Sequence, residues 1–431
     1  MRFRGFAFLA LVCALAACAR PLAVPPPSRP SSAVSVAPLR AGTSGDYPPL
    51  SIWKDDHVEG FAPALVSAFA AAQKTEVRWT RFGWPGLTDD LKADRFELAA
   101  DGITVRPERS VAGRFSMPIA RGGAVLLVRR STSVASAPPV GMAESLARVK
   151  SLDRAGFVVL VNKGGHLERV ARALLHAAEI RALPDNDGVR AAFARGEADA
   201  AMTNTFEAPR WETAVRVEEV GPLTDDVTAI WLRADRVDLG DRLDAWLLDE
   251  EESGRLATLR ERWLGPGAGP RAALPVSAIL AATSERLALM PFVAAAKQRT
   301  GRAVEDTAQE ERVLAASAKA VGHAAALRGK AAPRRELVDA FFRAQIEAAK
   351  AVQANAAPAP GSATFSLDDE LRPAIARISA RLASLVVRIP GGLDRAAVLA
   401  EARNELASTS LPPERIDSIA AAISELAAAA R

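Results

Sequence analysis

The sequence predicts two folded domains, an α/β domain followed by an all-helical domain, behind an N-terminal segment that belongs to neither. The chain has 431 residues, more than the roughly 100–200 residues typical of one domain. Short β-like runs alternate with amphipathic helices over residues 38–265, whereas Ala, Leu, Arg and Glu with helical periodicity dominate residues 271–431. The glycine- and proline-rich segment 266–270 separates these two patterns.

Residues 1–18 have the pattern of a secretion signal. A basic start precedes an apolar run that is too short to span a bilayer comfortably. The run ends in Leu-Ala-Ala-Cys, which resembles the lipobox of bacterial lipoproteins and implies cleavage before Cys18 and its lipidation. An ordinary signal peptide with an incidental cysteine is the alternative. Residues 19–37 are rich in proline and serine and are expected to form a tether. We therefore expect a periplasmic protein attached to a membrane by a lipid anchor only.

The counts of cysteine, histidine and charge argue against several classes of function. Cys13 lies within the signal and Cys18 is the lipidation site, so we expect no disulfide. The four histidines have no ligand-like spacing, so no metal site is expected. A formal net charge of +4 is small for this length and argues against a nucleic-acid-binding protein.

The first domain, residues 38–265, is predicted to contain a mainly parallel sheet. The β-like runs and helices alternate along the chain, a pattern that places ligands at the carboxyl ends of the strands. Its predicted strands are 39–43, 76–79, 157–161 and 199–202, and its predicted helices are 62–73 and 84–94.

Several motifs of this domain resemble those of class II periplasmic amino-acid-binding proteins. They are residues 43–49 (Thr-Ser-Gly-Asp-Tyr-Pro-Pro), 94–99, 102–109 and 115–118. The resemblance implies a two-lobed fold in which Arg109 binds a ligand carboxylate, with Asp46 in the same site. A bidentate guanidinium suits a carboxylate. An exposed arginine at a helix start is the alternative for Arg109.

Within that superfamily, further segments resemble the cyclohexadienyl dehydratases, which convert prephenate to phenylpyruvate. These segments are residues 83–85, 161–165, 183–186 and 202–208. The resemblance implies that Glu207 is the general acid, with Trp84, Asn162, Gly165 and Asn204 around the substrate. To remain protonated near neutrality, Glu207 needs a desolvated cleft that raises its pKa. A plain surface glutamate is the alternative.

Two positions depart from this resemblance. The dehydratases carry a lysine that contacts substrate where this chain has Ala124, and Arg121 is the nearby cation that could replace it. Asn204 stands where amino-acid-binding members use an aspartate to hold the ligand ammonium. That change argues against an α-amino acid as the ligand.

The second domain is predicted to be an all-helical bundle. Its periodicity gives helices near 272–300, 305–328, 333–355, 367–388, 393–407 and 412–430. Pro291 is expected to kink the first helix, and Pro333 and Pro412 are expected to lie at helix starts.

A few polar residues interrupt the apolar helices at separations that can converge. Arg286 and Lys297 are about three helical turns apart and so share one face. Together with segments 304–314 and 345–353, they resemble the all-helical chorismate mutases, the secreted (γ) class in particular. This resemblance implies rearrangement of chorismate to prephenate without a cofactor, in a site completed by one chain. It also implies a possible homodimer through the helical domain.

The same resemblance assigns a role to each polar residue. Arg286 and Arg372 bind the substrate carboxylates, and Lys297 and Gln353 donate to the ether oxygen from opposite sides. The ring hydroxyl and the backbone region beside it are contacted by two acidic residues, Glu310 and Asp306.

Gln309 departs from the mutase pattern because the family has an arginine there. Losing a charge-assisted bond of about 1.5–3 kcal/mol would slow the reaction roughly tenfold to a hundredfold. Arg312, one turn further on, is placed to offset part of this loss. As a single residue, however, it is grouped with the solvated helix charges Arg299, Arg302, Arg334 and Arg335.

Three hypotheses follow from the sequence. The first is a bifunctional enzyme acting on chorismate and then prephenate. The second is a chorismate mutase fused to a solute-binding module without dehydratase activity. The third is a lipoprotein in which both sites have decayed and the domains serve as a sensor or scaffold.

Overall fold

The computed structural model of the protein describes residues 37–130, 141–211, 216–269, 275–356 and 364–430. The predicted signal, Cys18 and nearly all of the predicted tether lie outside the described residues. From Pro38 onward, the described chain forms one compact unit.

Strands are confined to the first domain in the described part of the chain. In chain order, β1–β13 are Leu39–Thr43, Asp46–Tyr47, Ser51–Lys54, His57–Glu59, Val77–Arg81, Leu98–Ala99, Gly113–Gly122, Ala124–Arg129, Val158–Asn162, Glu179–Leu183, Ala200–Asn204, Val217–Val220 and Asp226–Arg233.

Helices are found in both domains. Those of the first domain, α1–α9, are Phe61–Ala72, Leu87–Lys92, Pro107–Ala112, Met142–Leu152, His166–Leu174, Asn186–Arg195, Ala208–Trp211, Val237–Glu252 and Arg255–Leu264. Those of the second, α10–α16, are Val276–Ala288, Met290–Arg299, Thr307–Leu327, Arg335–Ala354, Arg372–Val386, Arg395–Glu405 and Pro413–Ala429.

The first domain has the predicted two-lobed α/β architecture. The sheet of lobe 1 has the strand order β5-β1-β6-β13-β7, and that of lobe 2 has the order β10-β9-β11-β8-β12. The chain crosses between the lobes at Gly123 and again between β12 and β13. These crossings lie against each other, since a Cβ added at Gly123 would stand 2.1 Å from the carbonyl oxygen of Thr224.

The prediction of a mainly parallel sheet was wrong. In lobe 1, β1 pairs in parallel with β5 and β6, but β13 runs antiparallel to β6 and β7. Lobe 2 repeats this mixture, with β8 antiparallel to both of its neighbours. The reason is topological, because β7, β8 and β13 enter or leave a lobe directly, without the crossover helix that a parallel neighbour requires.

Local predictions for the first domain agree with the structure to within a few residues. The strand predicted at 39–43 is β1, and the helix predicted at 62–73 is α1. The helix predicted at 84–94 is shorter, because a 3₁₀ turn at Trp84–Gly86 precedes α2 and Asp94 has a positive φ.

The helical domain follows the predicted order, with one helix broken and one helix beginning in a π-helical turn. The helix predicted at 272–300 is divided between α10 and α11 next to Pro291, which occupies the first turn of α11. A π-helical turn at Leu367–Leu371, capped by Ser366, leads into α14. Among the described residues, Val276–Arg299 is long and apolar enough to cross a membrane, but 67% of its apolar window is buried inside the protein. It is therefore placed as a core segment.

The two domains are docked against each other through an apolar and ionic interface. Helices α10 and α14 pack on β7 and α3 of lobe 1, and one hydrophobic cluster runs through both domains. Within this interface, Arg381 forms a buried ion pair with Glu285 and donates to the Phe115 carbonyl (2.7 Å). These contacts fix the helical domain to lobe 1.

Candidate active sites

The helical domain encloses a cavity of about 470 Å³ between α10, α11, α12, α13 and α14. This volume lies within the range of about 300–1,000 Å³ typical of small-molecule pockets. All of the residues assigned to the mutase site from the sequence line it, and all come from one chain: Arg286, Lys297, Asp306, Gln309, Glu310, Gln353 and Arg372.

Arg286 is a buried cation held in position by α13. Its side chain donates to the carbonyl of Gln345 (2.9 Å), and the Gln345 amide in turn donates to the Thr283 hydroxyl (2.9 Å). Among the described residues, the Arg286 guanidinium forms no ion pair. Burial lowers its pKa to about 10, so it remains charged at neutral pH. A buried charge without a counter-ion is suited to receive an anionic ligand.

Lys297 and Arg372 approach the cavity from α11 and α14. The Lys297 ammonium donates to the carbonyl of Val304 (2.8 Å). Burial lowers the Lys297 pKa and Arg372 adds to this effect, whereas Asp306 and Glu310 oppose it. Arg372 is ion-paired with Asp368 one turn earlier, so it reaches the cavity already positioned.

The first turn of α12 brings Gln309 and Arg312 together. Asp306 caps the helix by accepting from the Gln309 backbone N–H (3.0 Å). The Gln309 side-chain oxygen accepts from Nη2 and Nε of Arg312 (2.9 and 3.2 Å). Arg312 lines the cavity with an exposed side chain, so it is a cavity-lining residue as well as a solvated helix charge. The amide at position 309 thus holds a guanidinium at the cavity wall.

Lys350 is a cavity-lining cation that the sequence reasoning missed. Its ammonium lies 2.9 Å from Glu347 and 3.4 Å from Glu310, and these carboxylates raise its pKa. Lys350 precedes Gln353 by three residues, a spacing that places both on one helix face. That spacing was the available signal.

The cavity has a surplus of positive charge and a free amide oxygen. Five cationic and two anionic side chains line it. Gln353 donates to the Ala349 carbonyl (3.1 Å), while its buried side-chain oxygen has no partner. Such a site favours a ligand that carries more than one negative charge.

The cleft between the lobes is nearly closed. Its volume of about 30 Å³ is far below the roughly 300–1,000 Å³ typical of small-molecule pockets. Four of the predicted ligand residues line it, Trp84, Arg109, Asn162 and Asn204, and they come from both lobes. Asp46, Gly165 and Glu207 lie outside its lining, so the structure does not place them on its wall.

Arg109 is the buried cation of the cleft. It is 3% exposed and donates to the Thr104 carbonyl (3.0 Å). It forms no ion pair within the described part of the chain. Burial lowers its pKa, and the neighbouring charge of Arg106 adds to this effect. Arg109 therefore has free donors for a ligand carboxylate.

Asp46 and Gly165 do not line the cleft, but each makes a contact that affects its shape. The Asp46 carboxylate accepts from the backbone and side-chain N–H groups of Asn186 (2.9 and 3.3 Å). This contact joins lobe 1 to α6 of lobe 2. Gly165 packs on Asn162, where a Cβ would stand 2.5 Å from the side-chain nitrogen. Asp46 thus bonds lobe 1 to lobe 2, and the absence of a side chain at Gly165 leaves space for Asn162.

Glu207 has the raised pKa expected of a general acid, although it is not among the residues that line the cleft. Its side chain is buried and accepts from Thr203 and from Arg190 (3.0 Å). Burial raises its pKa to about 7, against the opposing effects of the Thr203 bond and the Arg190 charge. The Asn204 side chain accepts from the Glu207 N–H (2.9 Å) and donates to the Tyr47 hydroxyl.

Arg121 does not replace the lysine missing at Ala124. It pairs with Glu405 of the helical domain and with Asp225 (3.5 Å) and is not among the cleft-lining residues. The sequence reasoning also missed His166, whose Nε2 lies 3.0 Å from both oxygens of Asp226 in the cleft wall. Only the folded chain brings these distant residues together.

Fold and sites together define a two-lobed solute-binding protein with a helical partner domain. Residues 39–266 match the bacterial extracellular solute-binding proteins, family 3, and residues 277–354 match chorismate mutase type II. The chain belongs to this solute-binding family and carries a C-terminal chorismate mutase domain.

Several individual proteins are similar to the first domain. The cyclohexadienyl dehydratase of Pseudomonas aeruginosa is 30% identical over 52% of this chain and 82% of that protein. The putative amino-acid ABC transporter-binding protein PatH of Vibrio harveyi is 22% identical over 53% of this chain and 88% of that protein. A crystal structure of the ancestral amino acid-binding protein AncCDT-1, a precursor of cyclohexadienyl dehydratase, has 26% identity and a TM-score of 0.47. It covers 52% of this chain and 95% of its own.

Proposed function

We propose that this chain is a secreted bifunctional enzyme that converts chorismate to prephenate and then prephenate to phenylpyruvate. The observation that supports it most is the helical cavity, where every predicted mutase residue meets in one positively charged space. We assign the helical domain to the secreted (γ) class, since a single chain supplies the whole lining.

The mutase reaction is a pericyclic rearrangement that needs no nucleophile or cofactor. The enzyme must hold a dianion in a folded conformer and stabilise negative charge that grows on the ether oxygen. Arg286 and Arg372 bind the two carboxylates, and Lys297 and Gln353 donate to the ether oxygen. Arg312, held by Gln309, supplies the charge that the family arginine would provide.

The dehydratase reaction takes place in the cleft of the first domain. Arg109 binds a carboxylate of prephenate, and Glu207 gives its proton to the ring hydroxyl. That oxygen leaves as water while the ring carboxylate leaves as carbon dioxide and its bonding electrons aromatise the ring. Since the cleft is closed to a volume of about 30 Å³, the lobes must separate and the contact between Asp46 and Asn186 must break before substrate enters.

The N-terminal pattern and the family of the first domain support a periplasmic location. The family of the first domain is named for extracellular proteins, and the sequence ahead of it has a secretion pattern with a lipobox-like end at Cys18. We place the protein in the periplasm, tethered by lipid. A homodimer through the helical domain stays a prediction.

A coupled assay tests the bifunctional proposal. Purified protein lacking residues 1–18 is mixed with chorismate, and prephenate and phenylpyruvate are separated and quantified over time. Both products should appear in sequence. Arg286→Ala should slow the first step, and Arg109→Gln should slow only the second. Absence of both products would exclude the proposal.

A chorismate mutase fused to a non-catalytic solute-binding module is the second candidate. The observations favouring it are Ala124 in place of a lysine and the position of Glu207 outside the cleft lining. Calorimetric binding of prephenate by the first domain, without turnover, would support this candidate. A decayed sensor or scaffold is favoured only if Gln309→Arg raises mutase activity from undetectable to substantial.

A further inference from the structure

In the described structure, the cleft of the first domain offers one free guanidinium, whereas a ligand with two carboxylates calls for two cations. Arg109 is the free guanidinium of the cleft, Ala124 supplies no charge, and Arg121 is engaged with Glu405. A dianion therefore requires a second cation from another place in the described structure.

A second cavity adjoins the cleft at the junction of the two domains. Its volume is about 140 Å³, close to the roughly 150 Å³ that accepts a benzene-sized molecule in other proteins. It shares Thr104, His166 and Asp226 with the cleft. Its far wall is formed by α10 and α14, including Ser284. A ligand in the opened cleft can therefore extend past His166 toward the helical domain.

Arg106 lines this junction cavity and carries unsatisfied donors. Its Nε and Nη1 atoms are buried and have no hydrogen-bond partner. Burial lowers its pKa to about 10, with the charge of Arg169 adding to this effect, so it is positive at neutral pH. Among the described residues, it forms no ion pair. Buried donors of this kind are costly unless a ligand satisfies them.

The carboxylates that line the junction cavity are already paired. Glu285 binds Arg381, Asp225 binds Arg121, and Asp226 binds His166 and the Thr224 hydroxyl (2.8 Å). Each of these carboxylates has a bonding partner, whereas two donor atoms of Arg106 have none.

His166 stands between the cleft and the junction cavity. Its Nε2 is bound to Asp226, while its buried Nδ1 has no partner. When both ring nitrogens carry a proton, Nδ1 becomes a second donor for an anion.

We propose that Arg106 and His166 form a second carboxylate subsite, so that the ligand of the first domain is a dicarboxylate reaching from Arg109 to the domain junction. The inference rests on the proposed function, because it assumes that Arg109 binds a carboxylate in the cleft. In this proposal the helical domain contributes to the binding site of the first domain, since α10 forms the far wall of the junction cavity.

The test compares two ligands that differ in carboxylate number, prephenate and phenylpyruvate. Binding is measured by calorimetry and by tryptophan fluorescence, on protein lacking residues 1–18 and carrying Glu207→Gln to stop turnover and Arg286→Ala to weaken binding of prephenate in the helical cavity. Adding Arg106→Gln should weaken prephenate about tenfold to a hundredfold and change phenylpyruvate less than twofold. His166→Gln should weaken prephenate to a smaller extent. Arg78→Gln, an exposed change in the same lobe, should alter neither.

The outcomes separate the subsite from the proposed function. If the Glu207→Gln parent binds neither ligand, the proposed carboxylate site of the cleft fails and the subsite fails with it. If the parent binds both ligands, two results would overturn the subsite proposal alone. One is that Arg106→Gln and His166→Gln weaken the binding of prephenate and of phenylpyruvate equally. The other is that these variants weaken the binding of neither ligand.

Discussion

At the scale of single residues, Arg286 is informative because the protein buries its charge without a counter-ion. Since an unpaired buried charge is costly, its retention indicates an anionic ligand. Arg286→Ala should lower mutase kcat/KM about tenfold to a hundredfold, the value of a lost charge-assisted bond. The loss of chorismate absorbance measures it. Arg343→Ala, an exposed change on α13, should leave the rate unchanged, and an equal loss there would contradict the assignment.

Arg312 and Gln309 form a second residue-scale case, in which one cation replaces another. The Gln309 amide holds the Arg312 guanidinium at the cavity wall. Arg312→Ala should therefore lower mutase kcat/KM about tenfold or more. Adding Gln309→Arg to that variant should restore most of the rate, because it returns a guanidinium to the family position. A double variant as slow as Arg312→Ala would show that charge at this wall does not assist the reaction.

The pKa of Glu207 predicts how the second activity depends on pH. As a general acid with a pKa near 7, Glu207 is protonated below that pH, so dehydratase kcat should fall as the pH rises through about 7. Glu207→Gln should abolish this limb together with most of the activity. A pH profile that is flat between 6 and about 8 would contradict the role.

The same shift has a consequence for stability. The folded pKa lies above the ordinary value of 4.5, so the native state holds the Glu207 proton more tightly than the unfolded chain does. This contribution is fully present below pH 4.5 and is lost as the pH rises through about 7. Glu207→Gln should therefore flatten the dependence of the unfolding free energy on pH over this interval, as measured by denaturant titration.

At the scale of elements, the start of α12 joins helix capping to ligand binding. Asp306 caps the helix and also lines the cavity. Asp306→Ala should destabilise the protein by about 1 kcal/mol and lower mutase activity. Asp306→Asn keeps a capping oxygen, so it should restore stability while activity stays reduced if the carboxylate contacts substrate. Thermal melts and mutase assays on both variants measure the two effects. Full activity in Asp306→Asn would limit this residue to capping.

Most elements were predictable because their signals are local. The helices of the second domain follow from apolar periodicity, and the break before α11 follows from Pro291, which lacks the N–H donor needed to continue α10. The direction of β7, β8 and β13 was not predictable. It depends on how the chain passes between two lobes, and no short window of sequence records that passage.

The mutase site was more predictable than the cleft for a related reason. Arg286 and Lys297 lie on consecutive helical segments, so spacing alone places them together. The contact between Asp46 and Asn186 joins residues from different lobes, and Arg121 turns to a residue of another domain. Such pairings depend on tertiary packing, and residue types alone did not reveal them.

At the scale of the whole molecule, one hydrogen-bonded cluster connects the neighbourhoods of both sites. The hydroxyl of Ser110, which follows Arg109, donates to Glu285 (2.8 Å), which precedes Arg286. Glu285 also pairs with Arg381 inside the domain interface. The cluster, defined as Ser110, Glu285 and Arg381, thus contains the sequence neighbours of Arg109 and Arg286, one residue of the cleft and one of the cavity.

This cluster predicts that the two domains unfold together. Glu285 is buried and bonded on both sides, so Glu285→Ala leaves Arg381 as an uncompensated buried charge and should cost about 3–5 kcal/mol. Calorimetry should show a single transition for the parent, because one hydrophobic cluster runs through both domains. The variant should melt earlier. Glu336→Ala, an exposed change on α13, should leave the transition unmoved.

Two separate transitions in the parent would contradict the shared core. A single transition would mean that docking on lobe 1 stabilises the helical domain, since α10 and α14 bury their apolar faces there.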